Sequence, residues 1–148
     1  AQDRHAYRPV HIADTLFPDT AVTKSSRNEG TYVGTDVDFL DTGGPAVQDY
    51  VRTIKSQYGP NATTNWVGEV GWMDAVILVQ ALKSLGQNIT RLGLMNAIDT
   101  LKPTGFGFTA PELFSRGAHD MNRCVRFGRF SGAKVAPTTD WLCNNEPF

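Results

Sequence analysis

The 148-residue sequence has little of several things, and each shortage excludes a class. It has only two cysteines, Cys124 and Cys143. A disulfide-dense miniprotein is therefore excluded, and with no C-x-x-C pair and no His at ligand spacing so is a zinc site. Charge of one sign is also lacking: 14 Lys and Arg stand against 15 Asp and Glu, a net charge of -1. That balance argues against a dedicated nucleic-acid binder. The longest apolar run, around residues 75–79, is far short of the ~20 residues a bilayer span needs. Residues 1–5 show no apolar leader core and no small-residue cleavage pattern, so an export signal is expected to have been removed or to lie outside this sequence. What is present is 41% hydrophobic residues, enough for one soluble globular core that buries roughly 70% of the unfolded surface. The two cysteines leave two readings open. One is a single bridge, closing a loop of about 20 residues and contributing about 3 kcal/mol; the other is a pair of reduced buried thiols in a cytosolic protein.

Periodicity divides the chain. β-branched residues in 7–13 suit a short strand, and Thr-Tyr-Val-Gly-Thr at 31–35 suits a second, with Phe17-Pro18-Asp19-Thr20 as a turn between them. From Pro45 the apolar positions Val47, Tyr50, Val51, Ile54 and Tyr58 recur at helical spacing, and Gly59-Pro60 ends the run. Residues 66–85 carry apolar side chains at Trp72, Ala75, Val76, Leu78, Val79, Leu82 and Leu85, a stripe too wide for a surface helix, so this is the expected buried core helix. Gly86 is its C-cap; Thr90 then caps a third helix with Leu94, Met95, Ile98 and Leu101 on one face, ended by Pro103. The last third is expected to return to extended structure: a glycine-punctuated stretch at 104–108, a short strand at 110–114, and a hairpin from 122–130 through Ser131-Gly132 into 133–136. Arg123, Arg126 and Arg129, interleaved with Val125, Phe127 and Phe130, read as an exposed edge protected by charge.

The ordered set of motifs resembles a known family. Glu29-Gly30 precedes a short strand, a helix ends in Tyr58-Gly59-Pro60, and Gly71-Trp72-Met73-Asp74-Ala75 opens an apolar stretch ending at Gly86. Thr90-Arg91-x-x-Leu94, Thr104-Gly105, and Phe114-Ser115 with His119 before a hairpin follow. From about Tyr7 to Trp141 this resembles the C-terminal portion of type I periplasmic binding proteins, the substrate-binding components of branched-chain amino acid ABC transporters. The resemblance implies an α/β fold, seen as the C-terminal part of that architecture: three helices, short strands and a C-terminal β-hairpin. It implies residues 1–37 as the end of a second lobe, 38–103 as helices returned to a first lobe, and 104–148 as the final crossover, hairpin and tail. The implied partners are an amino-acid-like solute and a membrane permease, with no cofactor. The implied compartment is periplasmic or extracellular, with a lipid anchor through an N-terminus outside this sequence left open.

For the site, the resemblance points to residues 66–69, the segment from which family members supply an apolar or aromatic wall to the ligand. Trp66, Val67 and Glu69 are the candidates there, and Asp14 matches a loop that faces the ligand ammonium in some members. Read without the resemblance, Trp66 is a core aromatic, Glu69 a carboxylate favoured by a helix dipole, and Asp14 a solvated loop residue. With the first lobe outside the sequence, the chain alone is expected to bind solute poorly. Two rival readings are a homodimeric assembly module, in which each chain's helices cover the other's incomplete sheet, and a receptor ectodomain of the same fold. An enzyme is disfavoured: His5, His11 and His119 are scattered, and neither G-x-S-x-G nor H-E-x-x-H occurs. Asp36, Asp38 and Asp41 lack EF-hand spacing and read as a solvated hinge.

Overall fold

Three helices form where the apolar spacing places them. A computed structural model of the protein describes residues 12–13, 28–101, 105–110, 124–132 and 134–144. Helix α1 (Pro45–Tyr58) has Pro45 in its first turn, where a backbone N–H would have no partner within the helix. It buries Val47 and Tyr50. Tyr58, expected on the same stripe, is 78% exposed in the last turn, past those core residues.

Helix α2 (Trp66–Leu85) is capped by Asn65, whose side chain accepts from the Gly68 N–H at 2.8 Å. The expectation of a wholly buried helix is corrected. Only the row Glu69, Met73, Ile77 and Ala81 is buried, while Leu78 and Val79 are largely exposed. Steps of four stay on one face of a helix with 3.6 residues per turn, and among the described residues no second layer covers the other face. Helix α3 (Arg91–Thr100) starts at Thr90, whose hydroxyl accepts from the Gly93 N–H at 3.0 Å, and it packs beside α2. Ala97 is buried and Leu94 and Ile98 are half-buried. Met95, expected among them, is exposed, because one residue beyond Leu94 is a rotation of about 100° around the axis.

The strands make one small sheet. β1 (Ile12–Ala13) runs parallel to β2 (Tyr32–Thr35), which pairs antiparallel with β3 (Cys124–Ser131); β3 in turn pairs with β4 (Lys134–Pro137). Ser131 opposite Lys134 leaves a two-residue turn, and Gly132 adopts φ 57° in it, a conformation glycine takes without steric cost. β5 (Leu142–Cys143) pairs with the start of β3, a strand too short to leave a pattern in the sequence. The charged-edge reading of β3 is corrected by this order, since β3 lies inside the sheet between β2 and β4. Residues Gly105–Gly107 form a single 3-10 turn rather than extended chain. The expected strands at 7–13 and 110–114 lie mostly outside the described residues.

Two apolar clusters result. Val47, Tyr50, Met73, Ile77 and Phe108 form the helical core, and Val33, Phe39, Phe130 and Val135 the sheet core. The bridge reading of the cysteines is the one realised: Cys124 and Cys143 are disulfide-bonded across β3 and β5.

Candidate functional site

The first turn of α2 holds the most unusual chemistry among the described residues. Gly68 lets that turn approach α1 closely: a Cβ there would collide with the Tyr50 hydroxyl. Tyr50 donates to the Asn65 carbonyl at 3.5 Å, and its ring lies 5.7 Å from that of Trp72. One turn into the helix, Glu69 heads the buried row and is fully buried, with neither carboxylate oxygen hydrogen-bonded. Its own N–H is used by the helix, bonding the Asn65 carbonyl at 3.0 Å. Trp66, three residues earlier and so on the same helix face, is half-buried, and its indole Nε1 is buried without a partner. Each residue thus carries a buried polar group with no hydrogen-bond partner among the described residues, although buried polar groups are nearly always bonded.

Burial raises the Glu69 carboxyl to about 8, and the negative charges of Asp38 and Asp36 push in the same direction. At neutral pH the group is therefore mostly protonated. Tyr50 is also raised, by burial first and by the Glu69 charge among lesser causes. No cation among the described residues reaches Glu69. Arg126 on β3 is committed elsewhere: Nη1 donates to Asp38 Oδ1 at 2.7 Å and Nε to the Thr139 carbonyl at 3.1 Å, with the guanidinium 5.8 Å from the centre of the Trp141 ring.

Those contacts make a second feature, a junction between the helical and sheet cores. Asp38 is mostly buried; besides Arg126 it accepts from the N–H groups of Phe39 at 3.0 Å and Gly44 at 2.8 Å. Its own N–H donates to the Phe108 carbonyl at 2.6 Å. Three passages of chain, near 38, 108 and 139, are tied together at this point. Asp36 and Asp41 are exposed, whereas the expectation of a solvated side chain is corrected for Asp38.

Of the expected site residues, Trp66 and Glu69 lie three positions apart on one face of α2, each with a buried polar atom that has no partner among the described residues. Val67 is 62% exposed on the outer side of the same turn, away from the buried pair. Asp14 lies outside the described residues. Tyr50, Asp38 and Arg126 were not anticipated; the close approach of a glycine at helix position 68 to a tyrosine is visible only once the helices are packed. Among the described residues no group of three or more His, Cys, Asp or Glu could hold a metal, and no helix is long and apolar enough to cross a membrane.

Comparison with known proteins matches residues 10–134 to a family model described as periplasmic binding protein. A solved branched chain amino acid ABC transporter from Thermus thermophilus with bound valine is similar over 97% of this chain and 41% of its own, at 18% identity and a TM-score of 0.75. A possible leucine/isoleucine/valine-binding protein from Rhodopirellula baltica matches 90% of this chain and 36% of its own, at 20% identity and a TM-score of 0.72. A fatty acid ABC transporter substrate-binding protein from Thermomonospora curvata matches 97% and 39%, at 16% identity and a TM-score of 0.75. No curated protein sequence matches. The chain thus spans about two-fifths of the length of these solved relatives. At such identities the likeness shows the fold: three helices and a small sheet, as one part of the larger architecture.

Proposed function

The chain belongs to the periplasmic binding protein family, and from that premise we propose that it forms the C-terminal portion of a solute-binding component of an ABC importer with an amino-acid-like ligand. The reading rests chiefly on one observation. At the start of α2 two buried polar groups, Trp66 Nε1 and the Glu69 carboxylate, have no hydrogen-bond partner among the described residues. Leaving such groups unpaired costs free energy that a bound solute recovers by supplying the missing donors and acceptors. Trp66 adds apolar area beside them. Asp14, which follows β1 in the sequence, is proposed to take part, and Val67 to lie at the rim. The site binds and orients; it performs no chemistry. Solute is handed to a membrane permease, and the Cys124–Cys143 bridge supports an oxidising, extracytoplasmic compartment.

A thermal-shift titration of the full-length protein against the common amino acids tests this. At least one raises the melting temperature in a saturable way, and Trp66→Ala abolishes that rise while leaving the ligand-free melt cooperative. A flat response across the panel would overturn the amino-acid reading. A second reading, self-association of the isolated chain, is supported by the exposure of Leu78, Val79, Leu92 and Met95 on α2 and α3; light scattering of the isolated chain tests it, a dimer supporting it and a monomer overturning it.

A further inference from the structure

The solute reading says nothing about which amino-acid-like molecules are taken, and the surroundings of Glu69 are specific on that point. The carboxylate is fully buried, both its oxygens lack hydrogen-bond partners among the described residues, and its backbone N–H is already used. Helix α1 offers it only Tyr50, whose hydroxyl is directed to the Asn65 carbonyl. From the connection between β2 and α1 it faces Asp38 and Asp36, which carry the same sign of charge. The guanidinium of Arg126 on β3, which pairs with Asp38, is bonded to Asp38 and to the Thr139 carbonyl. On α2 itself the other carboxylate, Asp74, is exposed. Every described charged group that acts on Glu69 therefore opposes its ionisation or is spent on another partner. What the carboxylate lacks is a positive charge bearing N–H donors, and what Trp66 Nε1 lacks is an oxygen acceptor. A metal ion does not fit, since no cluster of ligands is present among the described residues.

We propose that Glu69 is the counter-ion for a cationic nitrogen group of the solute, with Trp66 Nε1 donating to an oxygen of the same molecule, so that the site selects amino-acid-like solutes of net positive charge. This inference rests on the solute-binding reading. A guanidinium or ammonium brought against Glu69 supplies two or more charge-assisted hydrogen bonds and favours the ionised carboxylate. Binding therefore releases the proton that Glu69 carries at neutral pH. A solute anion is repelled by the same three carboxylates, and a neutral side chain leaves Glu69 unpaired.

Isothermal titration of the full-length protein with L-arginine, L-lysine and L-leucine, for wild type and Glu69→Gln, tests the proposal. The substitution keeps the shape and removes the charge, and a cooperative melt of the variant confirms that it folds. The expected result is saturable binding of L-arginine or L-lysine that weakens by about tenfold or more in E69Q. Wild-type affinity increases as pH is raised towards 8, by up to about tenfold per pH unit, with a proton released to the buffer, and E69Q abolishes both. Saturable L-leucine binding that E69Q leaves unchanged, with no binding of the cationic amino acids, overturns this inference and leaves the solute reading standing. Tight L-arginine binding that neither E69Q nor pH alters also overturns it. No binding of any of the three overturns this inference, and the solute reading falls with it only when the wider amino-acid panel is flat as well.

Discussion

Glu69 stands at the head of a row, Glu69, Met73, Ile77 and Ala81, whose other members are the apolar residues that a buried helix face calls for. A carboxyl in that row remains neutral when no partner is supplied, and this gives a stability signature with a definite sign. The folded state holds the proton up to about pH 8, while the unfolded chain releases it near 4.5. Between those values the native state binds the extra proton, so stability falls as pH rises, by at most about 1.4 kcal/mol per pH unit. Below pH 4.5 the group contributes no slope, and above about pH 8 the slope vanishes again. Urea melts of the ligand-free protein across this window are expected to show the decline in wild type and its loss in E69Q. An identical slope in both would mean that Glu69 is not buried as described. At this scale the sequence carried the local signals well: Pro45, Gly86 and Thr90 all lie where their backbone chemistry places them. It did not reveal the burial of Glu69, because a glutamate in a first helical turn is already accounted for by the helix dipole.

Helices were legible as elements because a spacing of three and four is a property of the chain alone. The sheet was less so. Whether β3 is an edge or a centre depends on strands contributed from distant positions, here β2 and β4, and alternating Arg and Phe fits either. β5, two residues long, exists because the disulfide and β3 hold it in place. Removing that constraint has a measurable consequence. Cys143→Ser, or reduction of the wild type, is expected to lower stability by about 3 kcal/mol in denaturant melts, from a loop of 19 residues' separation. Equal stability of the oxidised and reduced forms would contradict this. At the junction, Arg126→Met leaves Asp38 mostly buried without its guanidinium. The expected loss is about 2 kcal/mol, recovered in part when Asp38→Asn is added. Additive losses in the double variant would show that the two side chains act independently.

For the whole molecule, family and architecture were readable because ordered motifs survive where identity has dropped to between 16% and 20%. The sequence misled on how far the helices are covered. A wide apolar stripe predicts burial of all its members, yet Leu78 and Val79 on α2 and Met95 on α3 are exposed among the described residues. Hydrophobicity reports what a surface favours and is silent on which segment meets it. The same incompleteness bears on the proposed function, in which the polar atoms of Trp66 and Glu69 that lack partners among the described residues form one wall of the site. The most direct measurement compares solute binding by the 148-residue chain with that by the longer protein of which it is proposed to be the C-terminal portion, using calorimetry with the same amino-acid panel. The account predicts saturable binding at micromolar concentrations in the full-length protein and none in the isolated chain. Saturable binding by the isolated chain, or none by either, would contradict it.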